Sequence, residues 1–332
     1  MLRTTKWAAL ATVAACALYF APAFADDKII IGFSQASSNA AHRNTMTARN
    51  REYAEKNLPD TKLIITNAEG SSAKQISDVE SLEVQGMKVL MISAQDSAAI
   101  TPTIKDVMAK GIKVVTLERS LPTPVTLHIG PHNEPIGELA GKFLVDKLGG
   151  KGNVVEIKGD PAVAPAIERH DGFAKAIQGS GIKVVAETHA DWDQEKALKF
   201  MEDTLQRFPP GQIQAVYAHN DNMAFGALRA IQAAGRDKEG ILIVGIDGEN
   251  KAIRAVDKGD LAATFTYSTV APQGVIAAHS LATSDVAALG KLGTVSKHDD
   301  GSLEVEIPSQ MITKDNAAQF FCKGFGDDPE CK

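Results

Sequence analysis

Aromatic residues are scarce in this chain of 332 residues: 2 Trp, 4 Tyr and 12 Phe make up 5% of it. A site that needs a flat apolar face therefore has few candidates. A basic excess is also missing. Lys and Arg number 35 against 41 Asp and Glu, for a net charge of −6 and a pI near 5.8. The electrostatic footprint of a nucleic-acid binder is thus absent. Catalytic signatures are missing too. There is no HExxH, no GxGxxG after a strand, no GxxxxGK[ST] and no GxSxG. The eight His are scattered without metal-ligand spacing. Carboxylate pairs such as Asp191 and Asp193 stand at a helix start, where they cap it and face its dipole. Nothing here supports covalent or metal catalysis, and no cofactor is expected.

Long apolar runs are absent but for one. Trp7 to Phe20 is an apolar stretch of fourteen, preceded by Arg3 and Lys6 and followed by Ala21-Pro22-Ala23-Phe24-Ala25. It is shorter than the roughly 20 residues a spanning helix needs. Its layout is that of a secretory signal cut after Ala25, which implies a periplasmic location. Val13-Ala14-Ala15-Cys16 leaves lipoprotein processing at Cys16 as the alternative. Removing residues 1–25 leaves 307 residues with a net charge of −8, because Arg3 and Lys6 leave too. Only Cys322 and Cys331 then remain, nine apart. In an exported chain such a pair reads as a disulfide closing a C-terminal loop; two free thiols are the alternative.

The remainder alternates strands and helices, twice. Strands are expected at 28–34, 61–68, 88–93 and 112–117, with helices at 43–57, 72–86 and 97–110 between them. Ser72-Ala73-Lys74-Gln75 has the capping-box form. After a strand at 125–130 and a helix, the pattern restarts: strand 153–158, helix 165–178, strand 182–189, helix 193–207, strand 213–219, helix 221–234, strand 241–247. Near-continuous apolar strands separated by helices imply a parallel sheet covered on both faces. Four strands span 88 residues in the first half and 93 in the second. The expected fold class is α/β, with two similar doubly wound lobes. Ligands of such sheets bind outside the carboxyl ends of the strands. Those ends carry Ser34-Gln35, Ser93, Glu118-Arg119, Asn220-Asp221 and Asp247.

The words "IIIGFSQASS", "GIKVVTLERS", "ERHDGFAKAI", "ADWDQEKALKFMEDTL", "AVYAHNDNMAFGALRAIQAAG" and "IVGIDG", in this order, resemble the periplasmic sugar-binding proteins of ABC importers. The type is that of ribose, galactose and galactofuranose binders, a core shared with LacI-like repressors. A signal peptide stands here where a repressor carries its DNA-binding helices. The resemblance implies a periplasmic binding protein type I fold, with lobes joined by three crossings. These would fall near 128–133, near 264–269 and within 291–308, with the strand at 303–307 rejoining the second lobe. The lobes would then be 26–130 plus about 268–292, and 131–267 plus about 303–332.

The resemblance also implies the ligand contacts. From the first lobe these are Ser34, Gln35, His42, Arg43, Ser93, Glu118 and Arg119. From the second they are Arg169, Trp192, Asn220 and Asp247, with Tyr267 at the hinge. Asp221 is left to cap the following helix in place of Asn220. Carboxylates and guanidiniums can bond two adjacent hydroxyls at once. Trp192 is the only Trp beyond residue 25, hence the expected stacking platform. Two positions depart from the family pattern: Glu118 replaces an Asp, and His42 stands where relatives carry Phe or Trp. The implied partners are a small sugar or polyol and a membrane permease, for a monomer that binds no nucleic acid. The alternative is a subunit that presents its ligand to a chemoreceptor or kinase.

Overall fold

The computed structural model describes residues 28–326 and 328–331. The expected signal, its cut after Ala25 and Cys16 lie outside the described residues. The first half runs β1 (Ile29–Gln35), α1 (Ala41–Asn57), β2 (Thr61–Asn67), α2 (Ser72–Val84), β3 (Val89–Ile92), α3 (Ser97–Ala109), β4 (Lys113–Leu117) and β5 (Leu127–Gly130). The second runs α4 (Asn133–Lys147), β6 (Lys151–Lys158), α5 (Ala164–Ile177), β7 (Gly181–His189), α6 (Gln194–Arg207), β8 (Ala215–Ala218), α7 (Asp221–Ala233), β9 (Leu242–Val244), α8 (Asn250–Lys258) and β10 (Ala263–Phe265). There follow α9 (Gln273–Thr283), β11 (Thr294–Lys297), β12 (Leu303–Glu306) and β13 (Met311–Thr313).

Two sheets result. One is ordered β11-β12-β5-β4-β3-β1-β2, the other β13-β10-β9-β8-β6-β7. Within them β2-β1-β3-β4-β5 and β7-β6-β8-β9-β10 repeat the same order, so the internal repeat covers five strands. Pairing is parallel apart from β11 with β12 and β10 with β13. All four residues of β3 and of β8 are buried. Each sheet accordingly has an apolar cluster on both faces, around Met91 and Leu90 in the first and Val216 and Tyr217 in the second. Each such fully buried large side chain contributes about 1.5–3 kcal/mol.

Polar groups set the helix starts. Asp96 accepts from the Ala98 and Ala99 amides, and Asp193 from that of Lys196. The cap of α2 is Ser71, one residue before the expected position. Gln75 turns inward instead of closing a capping box. Its Nε2 donates to the Ser93 carbonyl at 2.9 Å and its Oε1 accepts from the Gln95 amide at 2.7 Å.

The chain leaves the first sheet after Gly130 and returns from β10 to α9, whose Val275 and Leu281 pack in the first lobe. One expectation fails here. The strand at 303–307 does not rejoin the second lobe. β12 pairs with β5 from Leu303 opposite Leu127 to Glu306 opposite Gly130. The reason is apolar alternation, since Val305 is buried in the first-lobe core beside Leu127 and Ile129. The final crossing follows at Ile307 to Gln310, where Pro308 has no amide to extend the ladder. Beyond it β13 pairs with β10, and Cys322 and Cys331 form a disulfide.

Candidate functional site

The carboxyl ends of both sheets face one cavity of about 130 Å³ between the lobes. The first lobe contributes His42 and Arg43 from α1 and Glu118 and Arg119 from the end of β4. The second contributes Arg169 from α5, Trp192 from the turn before α6, Asn220 and Asp247, with Tyr267 at the hinge. Ser34, Gln35 and Ser93 do not line it; they stand behind. Ser34 is fully buried. Gln35 is engaged with Thr47 at 3.1 Å and with the Ala36 amide. Ser93 accepts from Arg43 Nη1 at 2.5 Å and donates to Glu118 Oε1 at 2.9 Å. All three are buried at or just beyond the carboxyl ends of β1 and β3.

Glu118 organises the first-lobe wall. Its Oε1 pairs with Arg43 at 2.5 Å and lies 3.4 Å from Arg119 Nε, while its Oε2 accepts from the Tyr267 hydroxyl at 3.1 Å. Burial pushes its carboxyl up, but the Arg43 and Arg119 guanidiniums outweigh this and hold it at about 2. Its backbone is left-handed, with φ of 54°. Arg119 Nη1 donates to the Ala94 carbonyl at 2.5 Å.

Arg169 organises the opposite wall. Nε donates to Asn133 Oδ1 at 3.0 Å and Nη1 to the His219 carbonyl at 2.5 Å. The guanidinium lies over Tyr267 at 4.4 Å and near Trp192 at 5.6 Å. Two glycines let α5 approach α4 closely enough for this. A Cβ on Gly172 would stand 2.1 Å from the Glu134 carbonyl oxygen, and one on Gly137 would stand 2.2 Å from that of Arg169.

Trp192 is half-buried and lies across Gly159, where a Cβ would meet its ring at 2.1 Å. Asp191 and Trp192 both have positive φ, 52° and 67°, in the tight turn that Asp193 ends by capping α6. Asp247 is buried, and burial together with the Asp221 carboxyl pushes its own carboxyl well up. Asn220 departs from expectation. It is itself the cap of α7, accepting from the Met223 amide at 2.9 Å. Asp221 instead braces the wall, accepting from Thr264 Oγ1 at 2.7 Å and the Glu249 amide at 2.9 Å. Burial and Glu249 push it up to about 7.

Several lining residues have no counterpart in the sequence reading. Gln95 Nε2 donates to Asp160 Oδ2 across the cleft at 3.3 Å. The Ser97 amide donates to the Ala162 carbonyl at 3.1 Å, so the lobes touch at the cleft mouth. Asn39, Asn222 and Glu249 also line the cavity. Asn39 lies in the loop after β1, Asn222 in the first turn of α7 and Glu249 just before α8, where position along the chain gives no signal. Elsewhere, Glu156, His170 and Glu187 offer ligand atoms within 4.8 Å of one another. That group is balanced without an ion: Lys158 pairs with Glu187 at 3.0 Å, and His219 and His170 both bond Glu156.

The sequence model of the periplasmic binding protein domain matches residues 31–284. The chain belongs to the periplasmic binding protein family. A ribose import binding protein of Bacillus subtilis is 41% identical over 204 residues, 61% of this chain and 65% of that protein's length. A galactofuranose-binding protein of Escherichia coli is 31% identical over 240 residues, 70% of this chain and 75% of its own. Among solved structures, the fructose-binding periplasmic domain of a hybrid two-component system has a TM-score of 0.78 and 31% identity, covering 89% of this chain and 94% of its own. The family is one of binding proteins, not enzymes, and among the described residues no helix is long and apolar enough to cross a membrane.

Proposed function

We propose that this periplasmic binding protein captures a monosaccharide or related polyol in the interlobe cavity and delivers it to an ABC import permease. The observation that carries the reading is the pairing of a half-exposed Trp192 face with buried hydrogen-bonding groups from both lobes. A cavity of about 130 Å³ has room for a small polyhydroxylated molecule. Trp192 lines that cavity, and its buried Nε1 makes no hydrogen bond with the described residues. A buried donor of this kind requires an acceptor, and a polyhydroxylated ligand brings several. Uncharged ligands fit because Glu118 already neutralises part of the Arg43 and Arg119 charge. Capture and release follow from hinge closure of the lobes about three crossings. The names of the relatives support the ligand class.

Trp192 fluorescence tests the reading directly. Titration with pentoses, hexoses and polyols gives a saturable change with at least one of them. A flat response to all of them, matched by Arg169→Ala, contradicts it. The likeness to the periplasmic domain of a two-component system favours a second reading, presentation of the ligand to a membrane sensor. Gene deletion separates the two. Lost uptake of the ligand supports transport, and lost response with normal uptake supports sensing.

A further inference from the structure

The C-terminal segment lies beyond residue 284, where the family match ends, yet it packs behind the walls of the ligand cavity, against His42. Phe325 sits in the loop that the Cys322–Cys331 disulfide closes, and its side chain is buried. Its ring meets the His42 imidazole edge-on, at 5.2 Å and 73°. On another side His42 meets Tyr267 at 5.5 Å, and its Nε2 lies 3.2 Å from the Ser268 carbonyl oxygen. The imidazole is therefore held between hinge and tail.

The loop is also fastened to the turn that carries Asp247 and Glu249. The Asn250 amide donates to the Phe325 carbonyl at 2.9 Å, and Asn250 Nδ2 donates to that of Gly326 at 3.2 Å. Gly324 allows this approach, since a Cβ there would stand 2.2 Å from the Gly248 carbonyl oxygen. Arg254 of α8 pairs with Asp328 inside the closed loop. The loop thus touches one ligand wall through His42 and the other through the Asp247 turn.

We infer that the disulfide-closed C-terminal loop is an integral part of the ligand site, with Phe325 a positioning residue that fixes the His42 ring. The affinity part of this inference rests on the sugar-binding reading; the His42 part does not. Burial first, and then Arg43, hold the imidazole down at about 4, against the opposing pull of Glu118 and the Ser268 carbonyl, with Arg169 adding to the lowering. His42 is consequently neutral at pH 7 and offers a flat face where relatives are expected to carry Phe or Trp. Without Phe325, water reaches the ring. A proton on it then faces Arg43 and Arg169 at close range and is opposed only by Glu118, which Arg43 and Arg119 already engage.

The test is an NMR titration of His42 in the ligand-free full chain, assigned with His42→Gln, alongside calorimetric affinity from pH 5 to 8. In Phe325→Ala the His42 midpoint rises from about 4 toward 6.5. Affinity falls by about ten-fold at pH 7 and falls further as the pH drops through the new midpoint, a slope the wild type lacks. Phe325→Leu, which still excludes water, returns the midpoint most of the way. Cys322→Ser with Cys331→Ser shifts midpoint and affinity in the direction of Phe325→Ala. An unmoved midpoint in folded Phe325→Ala overturns the inference; should that variant not fold, an unmoved midpoint in the double serine variant does so. A wild type that binds no sugar or polyol defeats the functional reading alone, because the His42 midpoint remains readable.

Discussion

Replacing Glu118 with Gln keeps the shape of the first-lobe wall and removes the carboxylate that pairs with two buried guanidiniums. Arg43 at 2.5 Å and Arg119 at 3.4 Å are then left facing each other. Two routes give the size of the effect. The carboxyl is held at about 2 against an ordinary 4.5, and at about 1.36 kcal/mol per unit this is about 3 kcal/mol. Breaking a buried ion pair by removing one partner costs about 3–5 kcal/mol. The ligand-free variant should therefore lose about 3 kcal/mol of unfolding free energy at pH 7. Because the folded value lies below the unfolded one, the contribution is fully present above pH 4.5 and is lost as the pH falls toward 2. Urea unfolding at a series of pH values measures it, with the m-value unchanged. Wild type and variant should differ most near pH 6–7 and converge on acidification. Adding Arg43→Met to Glu118→Gln should recover part of the loss, because one lone buried charge is gone. A loss under about 1 kcal/mol at pH 7, or a difference that stays flat down to pH 3, refutes the claim that this pair braces the wall.

Further expectations concern the second lobe and the cleft mouth. Gly172→Ala drives a methyl into the Glu134 carbonyl and pushes α5 off α4, which moves Arg169. Ligand affinity should fall by ten-fold or more, about 1.4 kcal/mol, while far-UV circular dichroism stays unchanged; wild-type affinity would show that α4 and α5 do not place Arg169. Burial holds the His219 imidazole at about 4, below the 6.5 of an unfolded chain. Its contribution is intact above pH 6.5 and erodes as the pH falls toward 4, by up to about 3 kcal/mol. Asp221, pushed up to about 7, works in the opposite direction, so the comparison is with His219→Gln, whose stability should fall less between pH 6.5 and 4; parallel curves contradict it. Gln95→Ala removes a contact across the cleft to Asp160 and should speed ligand release a few-fold in stopped-flow fluorescence with little change in association, whereas unchanged release leaves that contact without a role.

The strand and helix order could be read from the chain because both lobes obey simple alternation. The turns after the strands carry polar residues in the same places, so Glu118 and Asp247 were legible as cavity residues, whereas Arg169 and Trp192 were legible only through the family resemblance. Legibility failed where pairing is non-local. β12 has a partner 176 positions earlier, from Leu303 to Leu127, and its short alternating pattern fits either sheet edge. Asn220 was legible as a strand-end residue but not as the cap, since Asp221 beside it has the same capping chemistry. Ser34, Gln35 and Ser93 share the sequence position of ligand contacts, yet Arg43 covers Ser93 with a side chain whose direction no local pattern encodes. Phe325 lies outside the repeat altogether. The unexpected His42 was the only hint that another ring had to support that wall.

Calorimetric titration of purified wild type and Asp247→Ala with a panel of pentoses, hexoses and polyols tests the central claim most directly. The account predicts one-to-one binding of at least one member. It also predicts a loss of roughly 2–4 kcal/mol in the variant, whose missing carboxylate leaves buried hydroxyls without an acceptor. Absence of heat with every member, or wild-type affinity in a folded Asp247→Ala, would contradict it.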